Sequence, residues 1–212
     1  LDWADALVLG PGLGDGEAQL QFVKALLSHR ALPTVVDADA LRALPVDSER
    51  GRWPLVLTPH VGELARLGGV IPDLAWERWF ELARGVAREH EAFVLAKSNQ
   101  CMIATPEGGL LFPAAGSPAL ATGGTGDVLA GIIGALLARL HSGERNPAER
   151  LAHTPADLRM LIAEIATTAV NIHAAASDVV EAELGEESLS PVDLIEAIPT
   201  ALSSMAEVAR MD

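Results

Sequence analysis

Short apolar runs that end in glycine or turn residues alternate along the chain with longer stretches of helical period, the pattern of a parallel sheet covered by helices. The first run, Ala6-Leu7-Val8-Leu9-Gly10, meets the loop Pro11-Gly12-Leu13-Gly14-Asp15-Gly16, and a helix predicted over 17–29 turns Leu20, Val23, Leu26 and Leu27 inward. Thr34-Val35-Val36-Asp37 reads as a second strand, with a short helix opened near Asp39 and running through Leu41 and Leu44. Pro54-Leu55-Val56-Leu57-Thr58 reads as a third, ended by Pro59.

Helices are predicted over 61–67 and 73–89, the second carrying Leu74, Trp76, Phe80, Leu82 and Val86. Ala92 to Lys97 is the fourth strand, and Met102-Ile103-Ala104 with Leu110-Leu111-Phe112 around Pro106-Glu107-Gly108-Gly109 reads as a hairpin, so the sheet becomes mixed. After the glycine-rich stretch from Ala121 to Gly126, a core helix to about Leu140 repeats Val128, Leu129, Ile132, Ile133, Leu136 and Leu137 at helical spacing. The polar stretch 141–155 reads as an exposed loop or short helix. A long helix over 156–184 and a C-terminal one opened by Ser190-Pro191 complete the pattern. No repeat and no composition shift divides the chain, so 1–212 is expected to form one α/β domain.

The composition sharpens this picture. With 50% hydrophobic and 21% charged residues the chain has material for a core. A formal charge of -14 repels phosphate backbones and anionic lipid, which argues against nucleic-acid and membrane partners. A lone cysteine, Cys101, forms no intrachain disulfide and no cysteine metal cluster. No uninterrupted apolar run approaches the ~18 residues of a membrane span, and the start Leu1-Asp2-Trp3-Ala4-Asp5 lacks a basic signal region, so the cytoplasm is the expected compartment. The first residue is not methionine and lies close to the first strand, which suggests a fragment.

Candidate chemistry centres on Ala121-Thr122-Gly123-Gly124-Thr125-Gly126-Asp127, a glycine-rich turn that runs into a buried helix. Converging amides and a helix N-terminus build an anion cradle there. It is not a Walker A loop, because Asp127 stands where lysine is required. Asp127 either caps the helix or serves as the base at a hydroxyl attacking a cradled phosphate. Gly10-Pro11-Gly12-Leu13-Gly14 matches the dinucleotide fingerprint poorly, yet it sits beyond a strand end, as do Asp37 and Asp39. His60, Glu63 and Arg66 cluster at a helix start, where Glu63 and Arg66 at a spacing of three would otherwise form a surface ion pair. Lys97, one of only two lysines, ends the fourth strand where a cation would meet phosphate. His173 reads as a satisfied core or interface histidine, and Cys101 has no flanking base to make it a nucleophile.

In this order, the segments resemble the NAD(P)H-hydrate dehydratase family of the ribokinase-like superfamily. The resemblance rests on Gly10 to Gly14, Val36-Asp37-Ala38-Asp39-Ala40-Leu41, Leu57-Thr58-Pro59-His60-Val61-Gly62-Glu63, Lys97, Ala121 to Gly131, Leu189 to Leu194 and Ile198-Pro199. It implies a ribokinase-like three-layer α/β/α fold with a mostly parallel central sheet, here expected to lack its N-terminal strands. The implied reaction is nucleotide-dependent dehydration of hydrated NADH and NADPH, with ADP or ATP as co-substrate. Phosphorylation of the ring hydroxyl turns it into a leaving group. The resemblance assigns Asp127 as base, Gly12, Gly14, His60 and Asp127 to the hydrate, and Lys97, Ser98, Asn99, Gln100, Cys101, Gly123, Gly124, Thr125 and Gly126 to the nucleotide. It further implies magnesium, held by Glu63 through water, and a homo-oligomer such as a tetramer. Ser98 departs from the Lys-Gly pair common in the family. A thiazole or pyrimidine kinase of the same superfamily and a nucleotide-binding scaffold without turnover stand as the alternatives.

Overall fold

The computed structural model describes residues 2–29, 31–44, 53–70, 76–113, 116–145, 154–208 and 210. Strand β1 (Leu7–Leu9) leads through helix α1 (Glu17–His29) to β2 (Thr34–Val36), and a 3-10 helix (Ala38–Ala43) precedes β3 (Leu55–Leu57). Helices α2 (Val61–Leu67) and α3 (Trp76–His90) return the chain to β4 (Ala92–Ala96), and β5 (Met102–Ala104) and β6 (Leu110–Leu111) form the hairpin. The strands lie in the order β1-β2-β3-β4-β5-β6. The first four are parallel, and β5 and β6 are antiparallel, as the short hairpin connection requires.

Alternation along the strands sends residues to two cores. Val36, Leu55, Leu57, Val94 and Ala96 pack with Val23, Leu27, Leu41, Leu64 and Trp79 on one face. Val35, Val56, Phe93, Leu95 and Ile103 face helices α4 (Thr125–Arg145) and α5 (Pro155–Leu184) on the other. The result is the expected three-layer α/β/α arrangement. Helix α6 (Pro191–Val208) closes a third cluster through Leu194, Ala197 and Ala201 against Val128, Ala176 and Val180. Fully burying a side chain such as Phe93 or Leu95 contributes roughly 1.5–3 kcal/mol relative to exposure.

One boundary differs from the pattern reading. Helix α4 runs on to Arg145, because nothing before Asn146-Pro147 breaks it, so the first part of 141–155 is helical, and 146–153 lie outside the described residues. Residues 73–75 of the helix predicted over 73–89 also lie outside them. Short 3-10 turns at Pro118–Ala121 and Glu186–Ser188 add to the expected elements, being too short to carry a periodic signal. Helix α5 starts at a Thr154/Asp157 capping box with Pro155 in its first turn and stops at Gly185, φ 83°. By length and mean hydropathy, 1.2 over its best window, α5 could cross a membrane, but half of that window is buried inside the fold. It packs between α4 and α6 as a core helix.

Candidate active site

The parallel strands end together on one edge, and the loops that follow them assemble the site there. The chain leaves β1 through Gly10, at φ 123°, and Leu13 N–H donates to Gly10 O at 3.0 Å to close the turn. A Cβ at Gly10 would lie 1.7 Å from the Asp37 carbonyl oxygen, so only glycine lets this loop cross the end of β2. Asp39 holds the loop from the other side, its Oδ2 accepting from Gly14 N–H at 2.9 Å. Between the two aspartates Ala38 adopts φ 47°, in the left-handed region. Gly12 and Gly14, at φ 66° and 80°, are exposed, with open space where a side chain would stand.

At the end of β3, His60 caps α2. Its Nδ1 accepts from the Gly62 and Glu63 N–H groups at 3.0 and 3.3 Å, and Glu63 Oε2 accepts from His60 N–H at 2.8 Å. Glu63 thus reaches back to His60, with Oε1 3.5 Å from its Nε2, and makes no ion pair with Arg66. The His60 ring remains 60% exposed and faces solvent at the strand edge. An isolated parallel bridge pairs His60 with Lys97, and Lys97 N–H donates to Pro59 O at 2.8 Å, which extends the β3–β4 ladder into the site.

Lys97 pairs with a buried carboxylate at this edge. Its Nζ lies 2.7 Å from Asp37 Oδ1, with Asp37 only 1% exposed. The same Nζ sits 3.1 Å from the position of a Cβ on Gly126, beneath the first turn of α4. That turn is braced by Thr125, whose hydroxyl donates to Leu120 O and Thr122 O at 2.7 and 2.8 Å. His173 Nε2 lies 2.9 Å from Thr125 O, which clasps α5 to the start of α4. Burial holds the His173 imidazole below its ordinary range, so it is neutral and donates from Nε2. His173 is therefore the satisfied core histidine its sequence context suggests.

The Gly123 and Gly124 N–H groups donate to no described backbone carbonyl. Asp127, in the first turn of α4, is exposed and makes no hydrogen bond or ion pair with any described residue, so its carboxylate does not cap the helix. The 98–101 turn is ordered by its own polar groups: Ser98 Oγ donates to Gln100 O at 2.6 Å, and Gln100 N–H to Asn99 Oδ1 at 3.0 Å. Burial pushes the Cys101 thiol up, in keeping with its packing against the α4-side core rather than with nucleophilic use. A cavity of about 410 Å³ opens under this turn on the α2–α3 side, lined by Val61, Leu64, Trp79, Ala96, Ser98, Asn99 and Met102. None of these lining residues is charged, which separates the cavity from the edge where Asp37, Lys97 and Gly126 meet.

The structure thus brings Lys97 and Gly126 together and places His60 beside Lys97 through the backbone bridge. No described group of three or more His, Cys, Asp or Glu side chains could hold a metal ion. Two features had no local sequence signal beyond a charged residue continuing a buried strand: the Asp37 to Lys97 pair and the Asp39 clamp on Gly14.

The sequence model of the family described as NAD(P)H-hydrate dehydratase matches residues 1–200. The bifunctional NAD(P)H-hydrate repair enzyme Nnr of Moorella thermoacetica is 36% identical over 206 residues, covering 96% of this chain and 35% of that protein. A crystal structure of the ADP/ATP-dependent NAD(P)H-hydrate dehydratase from Bacillus subtilis, co-crystallized with ATP/Mg2+ and soaked with CoA, superposes with a TM-score of 0.76 at 30% identity. The match covers 94% of this chain and 66% of that one. A ribokinase-like superfamily protein from Enterococcus faecalis V583, at TM-score 0.70 and 24% identity over 94% of this chain and 63% of that one, shares the fold.

Proposed function

The chain belongs to the NAD(P)H-hydrate dehydratase family, and from that membership we propose that it acts in the nucleotide-dependent dehydration of hydrated NADH and NADPH, as a lyase of nicotinamide-cofactor repair. The observation that carries this reading is the exposed Asp127 carboxylate in the first turn of α4, unpaired among the described residues and directly after the Gly123 to Gly126 cradle, whose last glycine lies over Lys97. In this reading Asp127 takes the proton of the ring hydroxyl as that oxygen attacks the terminal phosphorus of ADP or ATP. The bond from that phosphorus to the bridging oxygen breaks, leaving AMP or ADP. Loss of phosphate from the carbon that bore the hydroxyl, together with a proton from the neighbouring ring carbon, then restores the dihydronicotinamide ring.

The chain's own groups take defined parts. The Gly123 and Gly124 amides and the α4 N-terminus face the charge on the transferring group, and Lys97 supplies a cation beneath them. Thr125 acts as the brace of that turn, while Ser98, Asn99, Gln100 and Cys101 shape the nucleotide loop. Gly12, Gly14 and His60 border the hydrate, with the open space beside both glycines leaving room for it. Magnesium bound to the nucleotide would supply charge neutralisation. With no cluster among the described residues to hold it and both Glu63 oxygens near His60, Glu63 would meet it only through water. A homo-oligomer in the cytoplasm completes the proposal, supported by the exposed apolar stripe of Val192, Ile195 and Leu202 along α6.

The test mixes the chain with hydrated NADH, magnesium and either ADP or ATP. Absorbance of the reduced ring is expected to rise, with free phosphate released in step. A stable phosphorylated product would instead mark a kinase. Asp127→Asn is expected to lower turnover by about 10²–10⁴-fold while nucleotide binding by calorimetry is retained.

A further inference from the structure

The geometry points to Asp37 as a positioning residue that fixes Lys97 beneath the first turn of α4 and so sets the alignment for transfer rather than the affinity for nucleotide. This role rests on the proposed dehydratase reaction. Asp37 follows β2 and Lys97 follows β4, so the contact reaches over β3, about 9.6 Å across two strand spacings, a span that takes a long cationic arm. Thr58, at the end of β3, is fully buried, and its hydroxyl bonds to neither group. Asp37 occupies the N-cap position of the 3-10 helix yet makes no capping hydrogen bond. Its carboxylate forgoes the local partner and goes instead to a residue 60 positions away.

That choice confines Lys97 from two sides. Asp37 Oδ1 holds Nζ at 2.7 Å, and the Gly126 backbone lies over it so closely that a Cβ there would stand 3.1 Å from Nζ and push it aside. An ammonium has three donors, and one goes to Asp37, which leaves two for the oxygens of a group in the cradle. Removing the Asp37 charge has opposed effects on nucleotide affinity, because the anchor of Lys97 is lost together with a negative charge that repels phosphate. It has a single effect on transfer, because Lys97 loses its fixed place. A split between turnover and affinity is therefore the signature of this role.

The test compares the wild-type chain with Asp37→Asn, Lys97→Met and the double variant, using hydrated NADH, ADP and magnesium for turnover and calorimetry with ADP for affinity. Asp37→Asn is expected to lower kcat by about tenfold or more with ADP affinity changed by less than about threefold, and the double variant to be no slower than Lys97→Met. A folded Asp37→Asn chain with kcat within about twofold of wild type, or losses that multiply in the double variant, overturns the role. If Asp37→Asn does not fold, the wild-type chain decides through its two lysines, of which Lys24 is exposed on α1. Acetylation followed by mass spectrometry is expected to modify Lys97 at least about tenfold more slowly than Lys24, and equal rates overturn the role. A wild-type chain without turnover on ADP or ATP overturns the proposed reaction and this role with it. Wild-type turnover with an unaffected Asp37→Asn overturns the role alone.

Discussion

Single atoms decide much of this site. A methyl group on Gly10 would meet the Asp37 carbonyl at 1.7 Å in a backbone conformation that already disfavours a side chain. Gly10→Ala is therefore expected to destabilise the fold by more than about 4 kcal/mol, measured by urea unfolding. Gly126 is a different case, since its Cβ would press only on the Lys97 ammonium, the mobile end of a long side chain. Alanine there also favours the helix by up to about 1 kcal/mol. Gly126→Ala is expected to stay within about 1 kcal/mol of wild-type stability in the same measurement, while turnover falls by at least about tenfold as Lys97 is displaced. The Cys101 thiol, pushed up by burial, is expected to react slowly with a disulfide reagent in the native chain and fully after unfolding.

The junction of α4 with α5 sets the geometry of the cradle at the scale of elements. Neutral His173, 6% exposed, donates to Thr125 O and ties the middle of a 30-residue helix to the first turn of α4. Its folded pKa lies below the unfolded value of about 6.5, so between the two values the unfolded chain binds more protons. This contribution to stability is full above about pH 6.5 and is lost as the pH falls through that value toward the lower folded pKa. Urea midpoints at pH 7.5 and 5.5 are expected to separate more for wild type than for His173→Gln, which cannot take up the proton. Helix α2 is held locally instead, by the capping box between His60 and Glu63, so its placement needs no distant partner.

Across the whole molecule, the charge of -14 makes the folded chain repel itself, and the site gathers its positive field from amides and Lys97. Added sodium chloride is expected to raise Tm at neutral pH, with a gain of about 1 kcal/mol corresponding to roughly 2–4 °C. Most elements were legible along the chain, because each is set by residues a few positions apart. Continuous apolar runs bounded by turn residues mark β2 to β4, the spacing of Leu20, Val23 and Leu27 marks α1, and Pro191 after Ser190 marks the start of α6. The glycine turn at 123–126 was legible as a cradle for the same local reason. What the sequence by itself determined was therefore the α/β order, the helix ends and the residue types available at the sheet edge. The tertiary structure alone decided that Asp37 meets Lys97 across 60 positions, that His173 meets Thr125 across 48, and that Asp127 pairs with no described residue instead of capping α4. Those outcomes depend on strand register and on how helices cross the sheet, and both are set by packing between segments remote in sequence, which no local periodicity encodes.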